Sequence, residues 1–221
     1  MEPVRLRDSR QFYLDAAPGD FVAPGHLDFA SKRAGPAILD YGCATGNYCL
    51  ALGERRFRCT GADVNAAYVE KAVERGVDAH AVAPAEPLPF PDRSFDTVLL
   101  FEVLEHVSDY EFVLGEARRV ARKNVLITVP NCGSAHSLHR AALVFDHMLE
   151  VDHVNFFTRR QLETSLGKLF ADYEVREEEH KDPALYRLVF PPVVAKGLAL
   201  LSAARLGGRR FSYRLFAEAR V

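Results

Sequence analysis

From residue 37 to residue 129 the chain alternates between two patterns of apolar positions. Short, nearly continuous apolar runs fall near 37–42, 59–63, 78–83, 95–101 and 123–129, and the segments near 46–56, 66–75 and 110–121 repeat their apolar residues at helical spacing. Runs of the first kind read as strands covered on both faces, and strands alternating with helices predict a parallel sheet joined by right-handed crossovers. The pattern continues with a helix over 160–169, a sixth strand over Tyr173–Glu178 and a seventh over Phe211–Val221. With 221 residues and an apolar fraction of 48%, a single α/β domain spanning 1–221 is expected. Two segments exceed what such a fold needs, near 131–155 and near 181–210. Open α/β sheets bind ligands at the carboxyl ends of their strands, so insertions joining those ends are where substrate selection is expected.

The first strand ends in polar residues that suggest a ligand. The run Ala37-Ile38-Leu39-Asp40-Tyr41-Gly42-Cys43-Ala44-Thr45-Gly46-Asn47 passes from apolar residues through an acid into a glycine-punctuated turn that opens a helix. Gly42 and Gly46 suit positions where the backbone takes unusual dihedrals or passes close to a ligand, and the helix start offers free N–H groups to an anion. The spacing is G-x-x-x-G rather than G-x-G-x-x-G and the P-loop lysine is missing, which disfavours a phosphate cradle. The plain alternative is an ordinary strand-to-helix turn. About 20 residues on, at the separation a mononucleotide-binding half requires, Cys59-Thr60-Gly61-Ala62-Asp63 reads as a second strand ending in an acid. Asp63 can accept from both hydroxyls of a ribose or cap the helix that follows, and the two roles are compatible.

These motifs, together with Ala85-Glu86-Pro87-Leu88-Pro89-Phe90-Pro91-Asp92-Arg93-Ser94-Phe95-Asp96, resemble those of the class I S-adenosylmethionine (SAM)-dependent methyltransferases. The resemblance implies an α/β, Rossmann-like seven-stranded sheet, mostly parallel and flanked by helices, with the last strand antiparallel. The stretch before residue 36, which carries Phe12, Tyr13 and Phe21 among Pro and Gly breaks, is then expected as a helical cover over the cofactor. On the same likeness SAM is bound by Asp40, Gly42, Cys43, Gly46, Asn47, Asp63, Val64, Ala85 and Phe101, with Asp63 on the ribose and the Ala85 backbone N–H at the adenine. Many relatives set an Asp before the Ala-Glu pair, against the adenine amino group. Pro84 stands there in this chain, so one hydrogen bond worth about 1 kcal/mol is missing.

After the fourth strand, Phe101-Glu102-Val103-Leu104-Glu105-His106-Val107 sets Glu102, Glu105 and His106 at i, i+3 and i+4, one face if the stretch is helical. Two carboxylates and an imidazole on one face can grip a divalent cation; without one, in apolar surroundings, the acids repel and one tends to protonate. With Val151-Asp152-His153-Val154-Asn155 downstream, the pattern resembles the E-x-x-E-H plus His of metal-dependent O-methyltransferases that serve ubiquinone biosynthesis or methylate the terminal 2′-hydroxyl of small RNAs. On that likeness Glu102, Glu105, His106 and His153 are metal ligands, and two imidazoles favour Mn²⁺ or Co²⁺ over Mg²⁺. Two other readings stand beside it. Glu102 contacts the SAM ammonium or the substrate while His106 or His153 acts as general base, or these residues form a satisfied wall. His136, His139 and His147 add no recognised zinc spacing, Asp109 and Glu111 suit the first turn of a helix, and Asn131 faces substrate or only makes a turn.

Charge and cysteine content narrow the partners. A formal net charge of −2 gives no global basic field for nucleic acid. Cys43, Cys49, Cys59 and Cys132 form no C-x-x-C pair and the opening residues carry no charged-then-apolar leader, which together point to a reducing cytoplasm. The most apolar stretch, Leu185–Leu206, is interrupted by Pro191, Pro192 and Lys196 and is too short to span a bilayer. It reads as a lid or dimer-forming helix, with Arg205, Arg209 and Arg210 as the basic end of a peripheral membrane contact in the weaker alternative. The expectation is therefore a SAM-dependent methyltransferase acting on a hydroxyl of a small molecule, glycan or lipid-linked precursor. Terminal RNA 2′-O-methylation and a noncatalytic SAM-binding partner module are the rival functions.

Overall fold

The computed structural model describes residues 10–15, 17, 19–134, 150–181, 191–194, 196–197 and 211–221. Helices α1 (Arg10–Asp15) and α2 (Pro24–Arg33) lead into β1 (Ala37–Tyr41), α3 (Asn47–Glu54), β2 (Arg58–Asp63), α4 (Ala66–Glu74), β3 (Asp78–Ala81) and β4 (Phe95–Phe101). A short 3₁₀ turn (Leu104–His106) precedes α5 (Tyr110–Val120) and β5 (Ala121–Pro130), and the described chain closes with α6 (Arg159–Leu169), β6 (Asp172–Lys181) and β7 (Phe211–Arg220). The strands form one seven-stranded sheet of order β3-β2-β1-β4-β5-β7-β6. β1 to β5 are parallel, and β7 runs antiparallel between β5 and β6.

Burial explains why the central strands read as unbroken apolar runs. Val98, Leu99 and Leu100 of β4 and Val125, Leu126 and Ile127 of β5 are fully enclosed, with successive side chains feeding the cores on opposite faces. α5 is amphipathic, burying Val113, Leu114, Ala117 and Val120 while Arg118 stays outside. Local caps set the helix starts: Asn65 accepts from Ala67 N at 3.1 Å, Asp109 from Phe112 N at 3.0 Å, and Thr158 with Gln161 forms a capping box. The α4 cap is thus Asn65, one of the residues Asp63 itself holds, rather than Asp63.

Of the described residues before 36, Tyr13, Phe21, Val22, Ala23 and His26 line a cavity at the carboxyl end of the sheet. Tyr13 of α1 packs against Phe21 and against Tyr68 of α4, with ring centroids 5.2 and 5.8 Å apart. His26 of α2 lies among Tyr48, Phe101 and Phe216, and its Nδ1 shares a 2.8 Å hydrogen bond with the Tyr48 hydroxyl. Burial drives the His26 imidazole down to about 3, so it is neutral at any ordinary pH. Of the two long insertions, residues 135–149, with His136, His139 and His147, and most of Leu185–Leu206 lie outside the described residues. Among the described residues no helix is long and apolar enough to cross a membrane.

Candidate active site

The strand order reverses between β1 and β4, and outside the carboxyl ends of these strands a cavity of about 1300 Å³ opens, at the switch point where open α/β sheets bind ligands. One side is built by the turn after β1. Gly42 has φ +91°, and a Cβ there would lie 2.5 Å from Val103 Cγ2, so both backbone and space exclude a side chain. Its N–H and that of Cys43 donate to Ala62 O at 2.7 and 3.1 Å, which pins the turn to β2. Gly46, at φ +78°, is the N-cap of α3. From α4, Arg75 Nη1 donates to Thr45 O and Oγ1 and to Asn47 Oδ1, while Asn47 Nδ2 donates to Asp20 O at 2.8 Å. Asn47 lines the cavity, and its amide group is engaged in tying the turn to the N-terminal cover.

Asp63, at the tip of β2, accepts from Ala44 N and Asn65 N, each at 2.8 Å. Burial pushes its carboxyl up, against the pull of those backbone bonds. Asp40 is enclosed more deeply, with Cys49 Sγ donating to its Oδ2 at 3.8 Å. Burial and the neighbouring Asp63 raise it to about 7. Burial also raises the Cys43 thiol far above its usual range, so it lines the cavity as a small neutral group rather than a nucleophile. Val64 stands at the rim, 56% exposed; Phe101 packs inside with Tyr48 and His26; Pro84 and Ala85, the latter at φ +56°, close the wall beyond Asp63.

The other side of the cavity is assembled from distant segments. Glu102 directly follows β4 with φ +54°, a conformation that costs a non-glycine residue energy and that concentrates at functional sites. Its N–H donates to Thr128 O at 2.9 Å, and its Oε2 accepts from Arg214 Nε of β7 at 2.9 Å, with the Arg214 guanidinium 5.1 Å over the Tyr213 ring. The stretch after it is a single 3₁₀ turn rather than an α-helix, so Glu102 does not share a helical face with Glu105 and His106. Asn155 ties the downstream segment to that turn: its Nδ2 donates to Leu104 O and Val107 O at 2.9 and 2.7 Å, and Val154 N and Asn155 N donate to Glu105 O.

This tie brings His153 to the turn. One ligand atom from each of Glu105, His106 and His153 lies within 4.8 Å of the others, and the two imidazoles stack edge-on with centroids 4.6 Å apart. Glu105 is 1% exposed, and its Oε2 has no hydrogen-bond partner. Burial, then the Glu102 charge, holds its carboxyl well above the usual range. Burial and His153 lower His106, whose Nδ1 faces Asp152 O at 3.3 Å and Asp152 Oδ2 at 3.4 Å. Burial and the carboxylates Glu102 and Glu105 push the Tyr13 phenol up to about 12, so it stays protonated. The structure therefore joins Glu105, His106 and His153 and turns Glu102 toward Arg214. Arg214, Tyr213 and Tyr13 line the same cavity. The sequence carried no motif for Arg214, because only the insertion of β7 beside β5 brings it to the end of β4.

A mostly parallel sheet with one antiparallel insertion and a cofactor-sized cavity at its switch point defines the architecture of class I methyltransferases. The chain belongs to the methyltransferase domain family, whose sequence model matches residues 16–175. It is similar to the O-methyltransferase resE of Aspergillus sclerotiorum, 32% identical over 128 residues, covering 54% of this chain and 48% of that protein. It is also similar to the 27-O-demethylrifamycin SV methyltransferase of Amycolatopsis mediterranei, 37% identical over 98 residues, covering 41% and 36%. The chain thus spans about half the length, or less, of these curated relatives. The crystal structure of a SAM-dependent methyltransferase from Archaeoglobus fulgidus shares the fold with a TM-score of 0.69 over 98% of this chain and 96% of the other, at 16% identity.

Proposed function

We propose that this protein transfers the methyl group of SAM to a hydroxyl of a small-molecule or glycan acceptor. The observation that carries the reading is the single cavity joining the Gly42–Asp63 side to the Glu105, His106 and His153 cluster. In this reading Asp63 takes the ribose hydroxyls, the turn from Gly42 to Asn47 holds the amino-acid end, and Ala85 N–H meets the adenine. Because the sulfonium already activates the methyl, the protein's task is to align the acceptor in line and take its proton. The pairing of His106 Nδ1 with Asp152 fixes the tautomer and leaves a lone pair on Nε2 of a neutral ring, which is what a general base requires.

The cluster also fits a divalent cation: a buried carboxylate oxygen without a partner and two imidazoles within reach of one point are a suitable donor set. Glu105, His106 and His153 would hold the ion, with Mn²⁺ or Co²⁺ ahead of Mg²⁺, and Glu102 stays with Arg214. When bound, such an ion lowers the pKa of an acceptor hydroxyl. Activity in excess EDTA separates the two uses of His106, persisting if it is a base and disappearing if it is a ligand.

The test is transfer of tritiated methyl from SAM to fractions of a cell extract. Label in a low-mass organic fraction is expected. Label in RNA would favour terminal 2′-O-methylation instead, and tight SAM binding with no labelled fraction, with or without metal, would favour the noncatalytic module.

A further inference from the structure

Between β3 and β4 the chain runs from Val82 to Ser94 without helix or strand, and Pro84, Pro87, Pro89 and Pro91 remove backbone donors from it. Its partners come from two side chains of α5 that no motif had singled out. Arg119 Nε and Nη2 donate to the two carboxylate oxygens of Glu116 at 2.9 and 2.8 Å, a planar fork on a carboxylate. From that fork Nη2 donates to Leu88 O at 3.0 Å, Nη1 to Phe90 O at 2.9 Å and to Asp92 Oδ1 at 2.8 Å, and Glu116 Oε2 accepts from Leu88 N at 2.8 Å. Arg93 N donates to Arg119 O at 2.9 Å. Glu116 is buried, and the fork holds its carboxyl below the usual range.

The segment so held begins at Pro84 and Ala85, the cavity wall beyond Asp63. If Asp63 at the tip of β2 holds a ribose, the base extends past it toward the end of β3, against that wall. Pro84 offers the base no polar side-chain group, so hydrogen-bond recognition there falls to backbone groups such as the Ala85 N–H, set at φ +56°. Backbone recognition discriminates only if the segment is placed to within a fraction of an ångström. We propose that Glu116 and Arg119 are positioning residues that hold this wall in register and so set the protein's selectivity for adenine over other purines. The proposal rests on the SAM-binding reading of the cavity.

The experiment compares S-adenosylhomocysteine with S-inosylhomocysteine, whose ring N–H and carbonyl replace the ring nitrogen and amino group of adenine, by titration calorimetry on the full chain. Wild type should prefer the adenosyl ligand by about tenfold or more, as one well-made hydrogen bond against an unmatched group implies. Arg119→Lys keeps the charge and loses the fork; its preference should fall to within about threefold, with the KM for SAM raised and kcat within about twofold of wild type. Glu116→Gln should behave alike, and hydrogen exchange at the Leu88 and Arg93 amides should quicken in both. Unchanged base preference in folded variants overturns the proposal, as does unchanged exchange at those amides. Wild type that binds neither ligand overturns the cofactor reading as well, and is distinguished from the first case by wild type alone.

Discussion

The two sides of the cavity are built in opposite ways. On the Asp63 side the carboxylate of Asp63 is met by the amides of Ala44 and Asn65, and Thr45 and Asn47 by Arg75, all within the span from Ala44 to Arg75. On the Glu105 side Glu102 Oε1 and Glu105 Oε2 are buried without a partner, and the groups around them come from the end of β4 and the turn after it, from the segment before α6 and from β7. The first side is finished before a ligand arrives. The second keeps buried polar atoms that no protein group satisfies.

Breaking the finished side should have the largest effect. Gly42→Ala meets Val103 at 2.5 Å and forces a Cβ onto φ +91°, so we expect a stability loss of about 2 kcal/mol or more in urea unfolding and no measurable S-adenosylhomocysteine binding. Asp63→Ala should come next, weakening that ligand by roughly 1.5–3 kcal/mol in calorimetry if a charge-assisted pair of bonds to ribose is lost. Unchanged affinity in a folded variant removes Asp63 from the site.

The same contrast explains what could be read from the sequence. Gly42, Gly46 and Asp63 serve a local turn and the adjacent strand, so the strand–turn–helix and the strand after it could be read from the sequence. The Glu105 side depends on contacts the linear pattern does not carry. Helical spacing grouped Glu102 with Glu105 and His106, but the left-handed residue just after β4 and the three-residue 3₁₀ turn separate them. Arg214, which takes up Glu102, lies 112 residues away in sequence. His153 reached the cluster because Asn155 hydrogen-bonds the backbone on both sides of the turn, an anchoring role that the motif did not reveal.

A substitution on the unfinished side sharpens the comparison. Glu105→Gln keeps the shape and should leave S-adenosylhomocysteine affinity within about twofold, while methyl transfer falls by about a hundredfold, whether the group binds an ion or shapes the acceptor site. Loss of both together would mean that the two sides are not separable.

Stability should also depend on pH. Asp40 is raised to about 7 by burial and by Asp63, so the folded protein holds this proton more tightly than the unfolded chain does. That contribution to stability is complete below the ordinary carboxylate range near pH 4 and is lost as pH rises through about 7. Urea unfolding between pH 5 and 8 should show this decline, and Asp40→Asn should reduce it, leaving the part contributed by Asp63 and Glu105, which burial raises in the same direction.

The most direct measurement is a crystal structure of the protein with S-adenosylhomocysteine and Mn²⁺, using the anomalous signal to locate the ion. The expected result is the ribose on Asp63, the homocysteine end along the Gly42–Asn47 turn, and an ion on Glu105, His106 and His153 with Glu102 still paired to Arg214. A nucleoside bound away from Asp63, or an S-adenosylhomocysteine tail directed away from the Glu105 cluster, would contradict it.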